Sequence, residues 1–339
     1  MRRLLIFLLL LPLPLICQVK ILMPVVVKDA SGKPVTDLKI SDFQVSGPKN
    51  ISIDRMWLVP PQTVSAQDSR TPVVVIYDAA YATSVYPDET TKMFRWFLGI
   101  VAKERLPVSF YVNTADGLQA IYDTATPPEV LSAALALPEH PKTASADPQV
   151  ESQAKKLMLL KATYRTDRFP FLPLNQIKSL TALARTLQAS DKRKAALWIG
   201  DSTYYWSFVP FVEATAAWTM SELATEELNA VHISVYTRLY PSRYHSTGLI
   251  ADWFDSQRRL TECTGGLSLM ESSILDALQT VQADFGPYYM LAIAVPTPKE
   301  NDWVPVKIKV NRPGLTVRAA PGFYGLKPVK AQEGRAAQP

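Results

Sequence analysis

Short apolar strands alternate with helical patterns through the middle of the chain, and this alternation constrains the fold more than any other feature. Val73–Tyr77 and Ala195–Ile199 are continuous apolar runs of the kind that a parallel sheet buries on both faces. A helical pattern at 174–189 lies between them, and a further strand follows at Val231–Tyr236. Strands that alternate with helices form βαβ units, so residues 72–285 are predicted to form one mostly parallel α/β sheet.

The segments on either side have the alternation of β structure instead. Residues 18–60 are predicted to form an N-terminal β unit and 286–326 a set of C-terminal β strands, with a proline-initiated linker at 61–71. Neither segment is long enough to form a stable sheet alone, so we expect the two to pack together. Residues 327–339 are polar and are predicted to be a disordered tail.

The first residues have the pattern of a secretory signal peptide. Arg2 and Arg3 precede the apolar run Leu4–Ile16, which is too short to span a bilayer as a mature helix. We expect cleavage after Cys17, so that residues 1–17 are removed and the protein is exported to the periplasm or the extracellular space. The alternative is a lipoprotein acylated on Cys17, against which the bulky residue before it argues. No other apolar stretch approaches membrane-spanning length, so no transmembrane segment is predicted in the mature chain.

Charge and cysteine content exclude some classes of function. Removal of the two signal-peptide arginines lowers the net charge from +5 to +3, and the basic residues are scattered. The one basic run, Lys192-Arg193-Lys194, is predicted to be a solvated turn. Nucleic-acid binding requires a basic stripe, so no nucleic-acid partner is expected. Of the two cysteines only Cys263 would remain, which leaves no disulfide within the mature chain.

Sequence motifs in the terminal segments resemble those of a known family. The N-terminal motifs are Met23-Pro24-Val25-Val26-Val27-Lys28-Asp29, Gly32-Lys33-Pro34-Val35 and Asp42-Phe43. The later motifs are Cys263-Thr264-Gly265-Gly266, Tyr288-Tyr289 to Pro296, Lys307-Ile308-Lys309-Val310, Arg312-Pro313-Gly314-Leu315 and Pro321-Gly322-Phe323-Tyr324. With these motifs, nearly the whole mature chain resembles the von Willebrand factor A-like proteins of the acidobacterial "VWFA-related" type. The resemblance implies a von Willebrand A-type (Rossmann-like) α/β fold with a doubly wound, mostly parallel sheet. It also implies an adhesion or scaffold role. Because each terminal segment has an alternating apolar face that needs cover, we expect the N- and C-terminal strands to pair into a small β-sandwich unit beside the α/β domain.

The resemblance also implies a metal-ion-dependent adhesion site, and this site is depleted here. Such folds bind Mg²⁺ through an Asp-x-Ser-x-Ser loop after the first strand, because Mg²⁺ demands oxygen ligands in octahedral geometry. Here Asp78 is followed by Ala80 and Ala82, which carry no side-chain oxygen, and Asp201 follows a second strand. We therefore expect no cofactor. The alternative is Mg²⁺ held by Asp78 and Asp201. In the purely structural interpretation, each aspartate only caps the helix or turn that follows it.

Aromatic residues follow the carboxyl ends of the same strands. The predicted ligand-binding residues are Tyr81, Tyr204, Tyr205, Trp206, Tyr244 and His245. Tyrosine and tryptophan are enriched at binding hot spots, although single rings more often pack onto helix ends. No serine or cysteine stands in a nucleophile-elbow setting, so no enzyme activity is expected. The sequence favours a binding module that recognises a protein, with a glycan as the alternative partner. The alternative functions are a metal-assisted hydrolase using Asp78 and Asp201, or a structural envelope component.

Overall fold

The computed structural model describes residues 18–61, 73–78, 99, 108–114, 117–122, 126–127, 129–130, 132–133, 147–158, 172–187, 193–201, 222–240, 260–269, 272–299 and 302–325. The strands are β1 (Gln18–Lys28), β2 (Phe43–Ser46), β3 (Ser52–Val59), β4 (Val73–Asp78), β5 (Val108–Thr114), β6 (Gly117–Tyr122), β7 (Lys194–Asp201), β8 (Ile233–Tyr240), β9 (Tyr288–Pro296), β10 (Trp303–Pro305), β11 (Lys307–Val310), β12 (Thr316–Arg318) and β13 (Gly322–Tyr324). The helices are α1 (Pro148–Met158), α2 (Leu172–Leu187) and α3 (Ile274–Ala283), with a 3-10 turn at Ile40–Asp42 and further helical residues at 222–230 and 260–263. None of these described helices is both long and apolar enough to cross a membrane.

The N-terminal and C-terminal strands pair with one another, and we call β1–β3 with β9–β13 the terminal β unit. Its largest sheet has the order β12-β1-β9-β3, in which β9 pairs antiparallel with both neighbours. Two small ladders, β2 with β11 and β10 with β13, complete the unit. Strand β9 is buried on both faces: Tyr289 and Leu291 belong to the core of the unit, whereas Tyr288 and Met290 face a second apolar cluster.

The central sheet, β4–β8, has the order β6-β5-β4-β7-β8. Strand β4 pairs parallel with β5 and β7, β7 pairs parallel with β8, and β6 lies antiparallel at one edge. Alternate residues of β4 enter two different cores. Val75 packs on the α3 side with Leu278, and Ile76 packs on the α2 side with Leu183. Cover on both faces explains why the strand is a continuous apolar run rather than an alternating one.

The predicted fold class is wrong. Of the described strand pairs, six are antiparallel and three are parallel, all three within the central sheet. The described chain is therefore mostly β, with several antiparallel sheets and one partly parallel sheet. It is not a doubly wound, mostly parallel von Willebrand A-type α/β fold with a minor β unit. The reason is that hydrophobic alternation reveals which residues form strands and which face is buried, but not the direction of a partner strand far away in the chain.

The Thr264-Gly265-Gly266 segment attaches the chain to the outer side of β8. Thr264 Oγ1 accepts a hydrogen bond from the Val235 backbone N–H at 2.9 Å. Gly266 lies so close to β8 that an added Cβ would sit 1.7 Å from the Val235 carbonyl oxygen. Residues 267–269 then run parallel to β8 and form a bridge through Thr237. This edge of the sheet is thus covered by a segment that only glycine allows to approach.

Candidate functional site

Polar residues stand at the carboxyl ends of four neighbouring strands of the central sheet. We call this end of the sheet, where the parallel strands finish, the carboxyl edge. It is defined by Asp78, Asn113, Asp201 and Tyr240. Asp78 ends β4 and is the register partner of Asn113 on β5. Asp201 ends β7, which pairs parallel with β4, and it is the register partner of Tyr240 on β8. The backbone therefore brings both sequence-predicted aspartates to the same edge, on adjacent strands.

Asn113 is a residue of this edge that sequence analysis missed. It is 0% exposed, and Ser179 on α2 donates from Oγ to Asn113 Oδ1 at 2.6 Å. Leu180 and Leu183 pack α2 against the sheet and so bring Ser179 to the strand end. This bond fixes the plane of the Asn113 amide. The signal was available in the sequence, because Asn113 follows the mostly apolar segment Val108–Val112 just as Asp78 follows Val73–Tyr77.

The other predicted site residues cannot be placed. The six predicted ligand-binding residues lie outside the described residues, and so do the two alanines of the depleted metal loop and the side chains of both aspartates. These are Tyr81, Tyr204, Tyr205, Trp206, Tyr244, His245, Ala80, Ala82, Asp78 and Asp201. The aromatic binding surface and the roles of the two aspartates therefore stay predictions, as does cleavage after Cys17.

The donor chemistry of the carboxyl edge does not fit the Mg²⁺ site of the resembled family. Alanine at positions 80 and 82 removes two oxygen ligands, and the amide oxygen of Asn113 already accepts a hydrogen bond from Ser179. Mg²⁺ needs near-ideal octahedral oxygen coordination, so without the two hydroxyl ligands water would have to fill more of its positions. Within the part of the chain that the structure describes, no three His, Cys, Asp or Glu side chains cluster closely enough to hold a metal ion.

A second polar site joins the terminal β unit to the opposite, amino end of the central sheet. We call it the Asp284 cluster: Lys28, Arg193, Tyr236, Asp284 and Arg318. Asp284 is 3% exposed, and Lys28 Nζ from β1 lies 2.6 Å from its Oδ1. Arg318 Nη2 from β12 and the Tyr236 hydroxyl from β8 both contact Asp284 Oδ2. One carboxylate thus receives donors from the terminal β unit and from the central sheet.

Arg193, just before β7, completes the Asp284 cluster from the central side. Its guanidinium is buried, and Nη1 donates to the Asp284 backbone oxygen at 2.9 Å, while Nη2 donates to the Tyr236 hydroxyl at 2.7 Å. Its backbone N–H donates to the hydroxyl of Tyr288 on β9 at 2.9 Å. The prediction that residues 192–194 form a solvated turn is therefore wrong for Arg193 and Lys194, which are 2% and 5% exposed.

The surroundings of the Asp284 cluster set its protonation states. Burial raises the pKa of Asp284, but the charge of Arg318 and the hydrogen bonds from Lys28 and Arg318 outweigh burial, so this pKa lies below its ordinary value. Burial raises the pKa of the Tyr236 hydroxyl. Asp284 is also the C-cap of α3, where the helix dipole disfavours a negative charge. The carboxylate is therefore ionised because cations surround it.

Comparison with known proteins does not assign the chain to a family. No family model matches it, and no curated protein matches it. Among solved structures, it is similar to the pilus adhesin SpaC from Lactobacillus rhamnosus GG in an open conformation, with a TM-score of 0.36 and 8% sequence identity. The alignment covers 84% of this chain and 47% of the adhesin, so the chain spans about half the length of that protein. A likeness at this level carries no argument about fold or function, and the resemblance to the von Willebrand A-like family stays a prediction.

Proposed function

We propose that this chain is an exported, non-enzymatic binding module that holds a protein partner at the carboxyl edge of the central sheet. One observation carries the proposal: the backbone places Asp78, Asn113 and Asp201 at the carboxyl ends of three adjacent strands. In open sheets with parallel strands, ligands bind outside the carboxyl ends of the strands. The binding position is the point where the strand order reverses direction across the sheet. Strand β4 has this position here, with β5 on one side and β7 on the other.

The position of the terminal β unit also supports partner binding at the carboxyl edge. Its hydrogen bonds to the central sheet through Arg193 and Tyr288 lie at the amino end of β7. The terminal β unit therefore binds the end of the sheet opposite to the carboxyl edge.

Partner capture by matched variants tests the proposal. The mature chain is immobilised and exposed to envelope proteins of the producing cell, and the retained partner is purified for binary calorimetry. We expect the double variants Tyr205→Ala/Trp206→Ala and Asp78→Asn/Asp201→Asn to weaken the binary affinity at least about tenfold, which is about 1.4 kcal/mol. The control is Ile40→Ala/Leu58→Ala, which removes two apolar side chains that are 44% and 39% exposed on the terminal β unit. Equal affinity of the edge variants and the control would place the partner elsewhere.

A metal titration separates this proposal from a metal-assisted hydrolase. Titration of wild type and Asp78→Asn/Asp201→Asn with Mg²⁺ and then Mn²⁺ should give no binding heat and no shift in melting temperature for either protein. Heat that wild type shows and the double variant lacks would contradict metal-independent binding. That result would favour a metal-dependent role for the two aspartates.

A further inference from the structure

The terminal β unit and the central sheet have separate hydrophobic cores. Met23, Val25 and Leu291 belong to the core of the terminal β unit. The described members of that core do not include any residue of the two clusters that flank the central sheet. Each part of the molecule therefore has its own hydrophobic core. A smaller apolar cluster that includes Tyr288 lies on the other face of the terminal sheet.

The Asp284 cluster connects these two parts and depends on a single negative charge. Within the cluster, three cations surround one carboxylate: Lys28 and Arg318 from the terminal β unit, and Arg193 from the central side. Arg193 bonds to neutral oxygens of Ser234, Tyr236 and the Asp284 backbone. Neutralising Asp284 would leave the cations of both parts facing one another in a poorly solvated site.

While the terminal β unit contacts the central sheet, one nitrogen atom of Arg318, Nη1, is buried without a hydrogen bond to any residue that the structure describes. A buried donor without a partner favours any arrangement in which water can reach it. The charged groups of the Asp284 cluster regain hydration when they separate.

We propose that the Asp284 cluster is a latch: when Asp284 loses its charge, the terminal β unit separates from the amino end of the central sheet while both parts stay folded. This device is independent of the proposed binding function. The charge of Asp284 holds the latch closed, and Lys28 and Arg318 are the groups of the terminal β unit that it holds.

Three backbone amides report separately on the latch and on the two folded parts. The Arg193 N–H donates across the latch to the Tyr288 hydroxyl at 2.9 Å. Within the terminal β unit, the Leu38 N–H donates to the Tyr289 hydroxyl at 2.9 Å. Within the central part, the Val235 N–H donates to the Thr264 hydroxyl at 2.9 Å. The three bonds are matched in length and in acceptor type, so differences in hydrogen exchange report local opening.

The experiment measures these three exchange rates by NMR in the full mature chain. In Asp284→Asn we expect the Arg193 amide to exchange at least about tenfold faster, with little change at Leu38 and Val235. The control is Asp276→Asn, the same substitution in the first turn of α3, which should change none of the three rates. Equal acceleration of all three amides, or no acceleration at Arg193, would overturn the latch. If Asp284→Asn does not fold, Lys28→Gln decides by the same criterion.

Discussion

Replacement of Gly266 by alanine should destabilise the protein because the new methyl group has no space beside β8. Its Cβ would lie 1.7 Å from the Val235 carbonyl oxygen and 2.5 Å from the carbonyl carbon. Both atoms belong to the backbone of a paired strand, so no side-chain rotation can relieve the clash. To bring the new Cβ even 3.0 Å from this oxygen, Gly266 and β8 must move about 1.3 Å apart.

This displacement exceeds what the hydrogen bonds beside Gly266 tolerate. The Val235 N–H bond to Thr264 Oγ1 is 2.9 Å long, and the Gly266 N–H bond to the Thr261 oxygen is 2.8 Å long. Stretched by that amount, both exceed hydrogen-bonding distance. The loss of each of these two bonds leaves a buried group unpaired at a cost of about 1–3 kcal/mol, so we expect Gly266→Ala to lower the free energy of unfolding by about 2–6 kcal/mol. For a chain of 339 residues, that is a fall in melting temperature of roughly 3–9 °C.

Urea denaturation followed by tryptophan fluorescence, together with calorimetry, measures this effect. Gly99→Ala is the matched control, because Gly99 is helical and an added Cβ meets nothing within 4 Å. Alanine is the better helix former, so that variant should be unchanged or more stable by up to about 1 kcal/mol. A free energy of unfolding for Gly266→Ala within about 1 kcal/mol of wild type would refute the argument that this glycine lets the chain approach β8.

Two further predictions concern the same region and the Asp284 cluster. Thr264→Val should lower the free energy of unfolding by about 1–3 kcal/mol in urea denaturation, because the buried Val235 N–H loses its acceptor. Thr264→Ser keeps the hydroxyl and should lose clearly less; equal losses would show that packing of the methyl group matters instead. The pKa of Asp284 lies below its ordinary value of 3.8 in the folded chain. Its stabilising contribution is therefore present above about pH 4 and fades as the pH falls through the folded-state value. Chemical denaturation at several pH values should show a flatter acid dependence for Asp284→Asn, and an unchanged slope would assign the acid sensitivity to other carboxylates.

Local apolar patterns predicted the strands of the central sheet because those patterns are continuous in sequence. The run Val73–Tyr77 is confirmed as β4, which extends to Asp78. The strand predicted at Val231–Tyr236 begins at Ile233 instead, because His232 has a positive φ of 58° in the turn before it. A left-handed residue other than glycine leaves no pattern that strand propensity detects.

Burial of charged residues could not be predicted, because it depends on partners far away in the chain. Arg193 looks like part of a solvated basic run until Asp284, 91 residues later, accepts its hydrogen bond. Lys28 and Asp284 are 256 residues apart. Asn113 looks like a turn residue until Ser179 on α2 is placed against it. Polar residues at the starts and ends of buried strands are therefore where sequence analysis was weakest, and both polar sites of this molecule lie there.

The latch and the carboxyl edge lie at opposite ends of the same strands, and this separation makes the two proposals independent. Strand β7 runs from Lys194, next to the latch, to Asp201 at the carboxyl edge, which at about 3.3 Å per residue is roughly 23 Å. At this distance a unit charge acts with less than about 1 kcal/mol at an effective dielectric constant of about 20, so the charge of Asp284 acts little on the carboxyl edge directly. Asp284→Asn should therefore retain the partner if binding uses the carboxyl edge alone. Loss of the partner together with faster exchange at the Arg193 amide would mean that the partner also contacts the terminal β unit in its latched position.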